Sequence, residues 1–327
     1  YPLPFSTQRL GDAAFDFTSG NLGPWGAFSV DDRGGRVDGN KPSLSYDDAA
    51  FQLTRVNLFW GQTLGQATTV SYAFRAAAPT EMPEGTSGFS RFTDIQITMA
   101  LRAMQAWSDV ANITFERVVD TDLAYSNNAT MLFGNYSAGA DGAAAFASLP
   151  GSTDVSSASG DVWINNSLVY NQQFPFGGYG RHVFVHEIGH ALGLLHPSNY
   201  DASDGGDLTY SSSASYLEDS LQYTVMSYFS EAETGANFRA GSEFQYSSVP
   251  LLDDISAMQR LYGANMSTRT GDSIYGHNSN LEEDWLRVTE GRPPMIFAIW
   301  DAGGIDTLDF SRHRNVQTID LRQGGFS

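Results

Sequence analysis

The stretch from His186 to His196 constrains this chain more than any other part of its 327 residues. Histidines stand at 186, 190 and 196, with Glu187 beside the first and Gly193 before the last. Five specified residues at fixed spacing arise by chance in roughly one in ten thousand chains of this length. The spacing predicts a helix that carries the first two histidines, followed by a turn that brings back the third.

Each of these residues has a physical reason for its position. Side chains four residues apart lie on one face of a helix, so His186 and His190 can hold one cation between them. Glycine accepts the left-handed backbone that ends a helix, so Gly193 lets the chain turn and deliver His196. Three protein ligands leave one position of a zinc ion open, which is typical of a catalytic site rather than a structural one.

Glu187 is the candidate general base and acid. A carboxylate beside the first ligand is poorly placed to bind the ion, but it can take a proton from a water there and pass it to a leaving amine. Polar groups inside an apolar helix are costly to bury unless an ion satisfies them. The other histidines, His182, His277 and His313, lack this spacing, and we expect them to be ordinary core or surface residues.

A second motif follows further along the chain. The segment Thr224-Val225-Met226-Ser227-Tyr228 has the form of the methionine turn that accompanies this extended histidine motif. With Pro197 directly after the last histidine, the two motifs resemble the serralysin family, secreted bacterial metalloendopeptidases of the metzincin clan. Other segments from about residue 35 onward agree with that family: Lys41-Pro42-Ser43-Leu44-Ser45, Leu53-Thr54-Arg55, residues 106–115, Phe133-Gly134-Asn135-Tyr136, residues 250–255 and residues 261–265.

The resemblance implies an α+β fold in three parts. Residues 1–40 are expected to form an irregular arm, and residues 41–263 a metzincin catalytic domain with a twisted, mostly parallel sheet plus helices. Residues 264–327 are expected to begin a calcium-binding β-roll or β-sandwich domain. Apolar periodicity predicts strands at 67–74, 113–118, 130–135, 143–150 and 161–165, and helices at 92–109, 179–194 and 250–262.

The same resemblance implies hydrolysis of peptide bonds in extended protein substrates, with broad specificity. Met226 would lie beneath the zinc and its ligands as an apolar floor. Tyr228 would bind zinc in the free enzyme and stabilise the tetrahedral intermediate when substrate is bound, since a phenol can be an anionic ligand or a neutral donor. The segment Ala143-Ala144-Ala145-Phe146-Ala147 would form the edge strand above the cleft, where an extended peptide pairs through main-chain hydrogen bonds. An ordinary edge strand without a substrate role stays open.

A structural calcium ion is also implied, between two loops near the C-terminus. Its ligands would be the carbonyl oxygens of Arg269, Gly271 and Gly303, the side chains of Asp301 and Asp306, and an oxygen of Ser273, where the family usually has threonine. Calcium prefers such hard oxygen ligands. Ordinary Gly/Asp turns are the alternative.

Composition excludes several classes of partner. A net charge of −19, from 37 acidic and 18 basic residues, argues against nucleic acid and anionic membranes. No apolar run is long enough to span a membrane. Without cysteine, neither a disulfide framework nor a thiol nucleophile is available. The resemblance implies a secreted, extracellular protein that acts on proteins or peptides. We further expect a monomer, with a small protein inhibitor as a further class of partner.

The residues from Gly303 to Phe310 form one partial copy of the glycine-rich calcium-binding repeat of serralysins. One copy cannot form a solenoid, because stacked neighbours supply its buried face. We expect the chain to be a truncated part of a longer protein. The resemblance to serralysins implies export through a C-terminal signal rather than an N-terminal leader.

Two alternatives stay open. Astacin-like enzymes and matrix metalloproteinases are other metzincins, but the former usually have disulfides and the latter lack the tyrosine of the methionine turn. From a different class, the chain could be a calcium-binding adhesin or toxin module with a vestigial zinc site. The intact Glu187 argues against that module, and binding without turnover would identify it.

Overall fold

The structure is a computed structural model that describes residues 2–3, 33–120, 129–151, 158–201, 208–293, 295–314 and 316–327. Most of the predicted irregular arm, residues 1 and 4–32, lies outside the described residues. The described strands are, in chain order, β1 (Pro2–Leu3), β2 (Val37–Asp38), β3 (Lys41–Pro42), β4 (Thr68–Phe74), β5 (Thr86–Ser87), β6 (Ile113–Arg117), β7 (Met131–Tyr136), β8 (Ala138–Gly139), β9 (Ala145–Ala147), β10 (Val162–Asn165), β11 (Arg239–Ala240), β12 (Glu243–Phe244), β13 (Ile274–Gly276) and β14 (Thr307–Asp309). The described α-helices are α1 (Tyr46–Leu53), α2 (Asp94–Val110), α3 (Tyr179–Ala191), α4 (Tyr210–Ser213) and α5 (Leu252–Tyr262).

Six of the strands form one sheet in the order β1-β9-β10-β7-β4-β6. The pairs β10/β7, β7/β4 and β4/β6 are parallel, while β9 is antiparallel to β10 and β1 is antiparallel to β9. The expected mostly parallel sheet is therefore confirmed. The antiparallel direction of β9 could not be predicted, because local apolar patterning carries no information about strand direction.

Helix α2 connects the sheet to the helix that carries the histidine motif. Its first turn is fixed by Thr93 and Gln96, whose side chains each bond the other's backbone N–H, at 3.4 Å and 2.9 Å. Its inner face buries Trp107, whose indole nitrogen donates to the carbonyl of Val185 in α3 at 3.1 Å. Helix α3 is thereby held in the core, and every residue from His182 to Ala191 is buried.

Strand β9 is shorter than the predicted segment 143–150. Ala143 and Ala144 precede it, and their carbonyl oxygens are already occupied by side-chain amides of Asn165 and Asn171, at 2.9 Å and 2.7 Å. The strand is also not the outermost of the described sheet, because Leu3 and Pro2 of β1 pair with Ala145 and Phe146. A chain segment thus already pairs antiparallel with the strand expected to receive substrate.

Residues beyond 264 pack onto α2. A small core there buries Ala106, Val249, Tyr275, Trp285 and Leu286. The Arg269 guanidinium contacts the Asp109 carboxylate at 2.9 Å, and Arg102 pairs with Asp284. Within this described part, β13 and β14 form one parallel pair. This pair is too small to establish a calcium β-roll.

Candidate active site

The three histidines of the motif meet at one point in the core. His190 Nε2 lies 3.1 Å from His186 Nε2 and 3.2 Å from His196 Nε2. All three side chains are buried. Among the described residues they form the one group of three or more His, Cys, Asp or Glu side chains close enough to share a metal ion.

The outward nitrogen of each ring contacts a backbone carbonyl. His186 Nδ1 lies 2.8 Å from the Val225 oxygen, His190 Nδ1 2.7 Å from the Leu194 oxygen, and His196 Nδ1 3.0 Å from the Tyr200 oxygen. A carbonyl only accepts, so each Nδ1 carries the proton and donates. Burial lowers the pKa of all three imidazoles well below the ordinary value, so the rings are neutral.

In such neutral rings each Nε2 holds a lone pair rather than a proton. Three lone pairs that face one another cannot hydrogen-bond and repel unless a cation lies between them. Two nitrogens that share a tetrahedral zinc ion are about 3.3 Å apart, given zinc–nitrogen bonds of about 2.0–2.1 Å. The observed separations of 3.1 Å and 3.2 Å therefore fit one zinc ion.

Glu187 lies beside the triad on α3 and is fully buried. Neither carboxylate oxygen has a hydrogen-bond partner among the described residues. Burial raises the pKa of this carboxyl to about 8. A nearby cation favours the charged form, so the ion that fits the triad also explains how an isolated carboxylate can be kept here.

Gly193 ends the helix as the motif predicts. Its φ is +112°, and a Cβ at this position would lie 2.1 Å from the carbonyl oxygen of Leu58. Helix α3 stops at Ala191, three residues before the predicted end at 194. After the turn, Arg55 donates to the carbonyl of His196 at 2.8 Å and fixes the returning segment.

The methionine turn lies against the same helix. Met226 is fully buried, and a Cβ added at Gly189 would meet its sulfur at 2.8 Å. The ring of Tyr228 lies 4.4 Å from that of His196 and 6.2 Å from that of His186, measured between centroids. The structure thus brings both residues to the triad.

One residue that supports the turn was missed from the sequence. Asp254 in α5 is fully buried and accepts hydrogen bonds from the Thr224 hydroxyl at 2.5 Å and the Val225 amide at 2.8 Å. It also accepts from the Leu251 amide at 2.8 Å. The available signal was an acid in the first turn of a helix, which predicts a cap but not a contact with a distant turn.

The two loops of the predicted calcium site also meet. The Ser273 amide donates to Asp306 at 2.9 Å, the Ser273 hydroxyl to the Gly271 carbonyl at 3.3 Å, and the Gly303 amide to Asp301 at 2.9 Å. Arg269 has φ +50°, and its side chain donates to the Trp300 carbonyl at 2.6 Å. These contacts place the six predicted residues on two adjoining loops.

Two family models match the chain. One, described as Matrixin, matches residues 87–203, which contain the triad. The other, described as Peptidase M10 serralysin C terminal, matches residues 264–327.

Among the described residues, no helix has the length and apolarity needed to cross a membrane.

Curated relatives match over most of the chain. Metallopeptidase AprA of Pseudomonas marginalis is 45% identical over 302 residues, which cover 90% of this chain and 61% of the relative. Serralysin B of Dickeya chrysanthemi is 42% identical, covering 88% of this chain and 58% of the relative, and Serralysin of a Photorhabdus species is 42% identical, covering 89% and 60%. This chain therefore spans about 60% of the length of these relatives. Together with the two family models, they show that the chain belongs to the serralysin family.

Proposed function

We propose that this chain is the catalytic part of a secreted zinc-dependent endopeptidase that cleaves extended protein substrates with broad specificity. The observation that carries the proposal is the convergence of three neutral imidazoles, with the Nε2 atom of His190 3.1 Å and 3.2 Å from those of the other two, beside a buried carboxylate without a hydrogen-bond partner among the described residues. A purely structural core has no use for such an arrangement, since burying three imidazoles and a carboxylate together costs free energy unless an ion offsets it.

His186, His190 and His196 would hold the zinc ion, and their Nδ1–H groups would stay with the three carbonyls that orient them. When bound, zinc polarises a carbonyl and lowers the pKa of a water molecule at the open position. Gly193 serves this set indirectly, because only its left-handed backbone allows His196 to return.

Glu187 would take the proton from the attacking water and give it to the leaving nitrogen. A general base works best with a pKa near the working pH. The pKa of about 8 that burial produces is lowered by a cation, which brings it toward neutrality.

Tyr228 would act in two ways, as a zinc ligand in the resting enzyme and as a hydrogen-bond donor to the oxyanion of the transition state. Its ring lies 4.4 Å from that of His196, which supports this placement. Met226 would keep the floor of the site apolar and would take no part in proton transfer.

Substrate would pair with the segment Ala143–Ala147 as an added strand. The antiparallel pairing of Pro2–Leu3 with Ala145 and Phe146 supports this, since there the outer edge of β9 is paired with an extended segment. Ala143 and Ala144 would contribute less, because their carbonyls already accept hydrogen bonds from Asn165 and Asn171.

The C-terminal loops would bind calcium through Arg269, Gly271, Ser273, Asp301, Gly303 and Asp306. The close contact of both loops supports this site, and the chemistry of oxygen ligands suits calcium. We further propose the boundaries 41–263 and 264–327 for the two domains, export to the extracellular space, a monomeric state, and a small protein inhibitor as partner.

Casein hydrolysis at neutral pH in calcium tests the activity. We expect activity to be lost on removal of zinc with a chelator and to return when zinc is added back. Glu187→Gln should retain zinc in metal analysis but lose at least about a hundredfold in turnover. Glu233→Gln, at an exposed position, is the matched control and should behave like the wild type.

Inactive wild-type protein that is folded and zinc-loaded would overturn the proposal. It would instead favour a binding module with a vestigial zinc site. Full activity of Glu187→Gln would be compatible with the proposed metal site, but it would show that Glu187 is not the general base.

A further inference from the structure

Tyr200 contacts both the third histidine and the tyrosine of the methionine turn, through different atoms. Its carbonyl accepts from His196 Nδ1 at 3.0 Å, and its ring stacks on that imidazole with centroids 5.4 Å apart and planes 15° apart. At its other end, its phenol oxygen accepts the backbone N–H of Tyr228 at 3.4 Å. The residue is 5% exposed, so water does not compete for these contacts.

The phenol of Tyr200 is itself held by a buried carboxylate. It donates to Asp219 Oδ1 at 2.9 Å, and the same oxygen accepts from the Ser227 hydroxyl at 2.8 Å. Asp219 Oδ2 accepts from the Ser198 hydroxyl at 2.6 Å. Asp219 is fully buried. Through these hydrogen bonds it connects the loop after His196 to the methionine turn.

We propose that Tyr200, anchored by Asp219, is a positioning residue that sets the place of Tyr228 relative to His196. This inference rests on the proposed function, because it assigns Tyr228 its part in the transition state. Tyr200 and Asp219 do not touch substrate. They act by fixing the two segments that would carry a metal ligand and the oxyanion donor.

The geometry separates the two tasks of Tyr200. Tyr200→Phe keeps the carbonyl on His196 and the stacked ring, but it removes the oxygen that accepts from Tyr228 and donates to Asp219. We therefore expect zinc affinity to stay within about twofold of the wild type, while the position of Tyr228 becomes less fixed.

The first experiment is a double-mutant cycle in casein-derived peptide hydrolysis by the zinc-loaded protein. Tyr200→Phe should lower kcat about five- to tenfold with KM within about twofold, as for a lost interaction that acts in the transition state. In a Tyr228→Phe background, the same change should alter kcat by less than about twofold. Tyr210→Phe is the matched control. Tyr210 belongs to the same hydrophobic cluster as Tyr200 and Tyr228, but its hydroxyl donates to the Leu217 carbonyl at 2.7 Å. That control should keep wild-type kcat.

Two Asp219 variants extend the test. Asp219→Asn keeps an oxygen for Tyr200 and Ser227 and should retain most of the activity. Asp219→Ala removes every acceptor and should lose at least as much kcat as Tyr200→Phe. If the alanine variant does not fold, Tyr200→Phe and Asp219→Asn still decide the matter.

A second readout does not depend on turnover. Amide hydrogen exchange of residues 225–229 should become faster in Tyr200→Phe and stay unchanged in Tyr210→Phe. If the wild type hydrolyses nothing, the proposed function fails, while faster exchange would still support the positioning contact. If the wild type is active, unchanged kcat and unchanged amide exchange in Tyr200→Phe would overturn the inference. An equal loss of kcat from Tyr200→Phe in the wild type and in the Tyr228→Phe background would overturn it as well.

Discussion

His182 should make the protein lose stability in mild acid. It lies one helical turn before His186, is 2% exposed, and its Nδ1 lies 3.1 Å from the Ser247 carbonyl. The rings of Tyr179 and Tyr246 pack against it, with centroids 5.8 Å and 5.4 Å away. The described contacts offer no counter-charge, and burial therefore lowers its pKa from 6.5 to about 4.

The sign and size of the effect follow from that pKa. Between pH 6.5 and about 4 the unfolded chain binds a proton at this histidine and the folded chain does not. Stability from His182 is therefore fully present above pH 6.5 and is lost as the pH falls through this window. At about 1.4 kcal/mol per pH unit, the loss amounts to about 3 kcal/mol.

The assay is urea unfolding followed by tryptophan fluorescence at several pH values between 7.5 and 4, on wild type and His182→Gln. We expect the variant to start less stable because of imperfect packing, but to lose about 3 kcal/mol less over the window. The triad and any bound zinc are common to both proteins, so most of their contribution cancels in the difference. The His186 ring, 5.9 Å from that of His182, adds a coupling between neighbouring groups. His313→Gln, at an exposed histidine, is the control. Parallel curves for wild type and His182→Gln would refute the reasoning.

Three further substitutions test the scaffold around the site. Asp161→Asn removes the carboxylate charge that lies 2.7 Å from the buried Arg75 guanidinium, and should cost about 3–5 kcal/mol in chemical unfolding; a loss below about 1 kcal/mol would contradict a tight buried pair. Gly193→Ala forces a side chain onto the Leu58 carbonyl at positive φ, and should cost about 2–4 kcal/mol and weaken zinc binding at least tenfold. Wild-type zinc affinity in a calorimetric titration would show that the turn tolerates alanine. Thr93→Ala removes the cap of α2 and should lower stability by about 1 kcal/mol in thermal unfolding with unchanged kcat, whereas a kcat change would mean that the cap reaches the site.

Several elements could be predicted because their causes are local. The four-residue spacing of His186 and His190 on a helix fixes their common face, and a glycine at 193 marks where that helix must turn. Alternation and helical periodicity predicted the strands near 68–74 and 162–165 and the helix near 94–110, each within two residues of the structure. The helix end at 191 was placed three residues late, because the turn begins before the glycine that permits it.

Short-range spacing in the sequence was enough to predict that three histidines and a glutamate come together at one candidate metal site. The orientation of that site depends on contacts that form only in the tertiary structure. The carbonyls of Val225, Leu194 and Tyr200 select the tautomer of each ring, and Asp219 and Asp254 fix the methionine turn. The direction of β9 and its pairing with residues 2–3 were likewise decided at this level. Hydrogen bonds between segments distant in sequence leave no periodic signal, because each depends on where the chain places its partner.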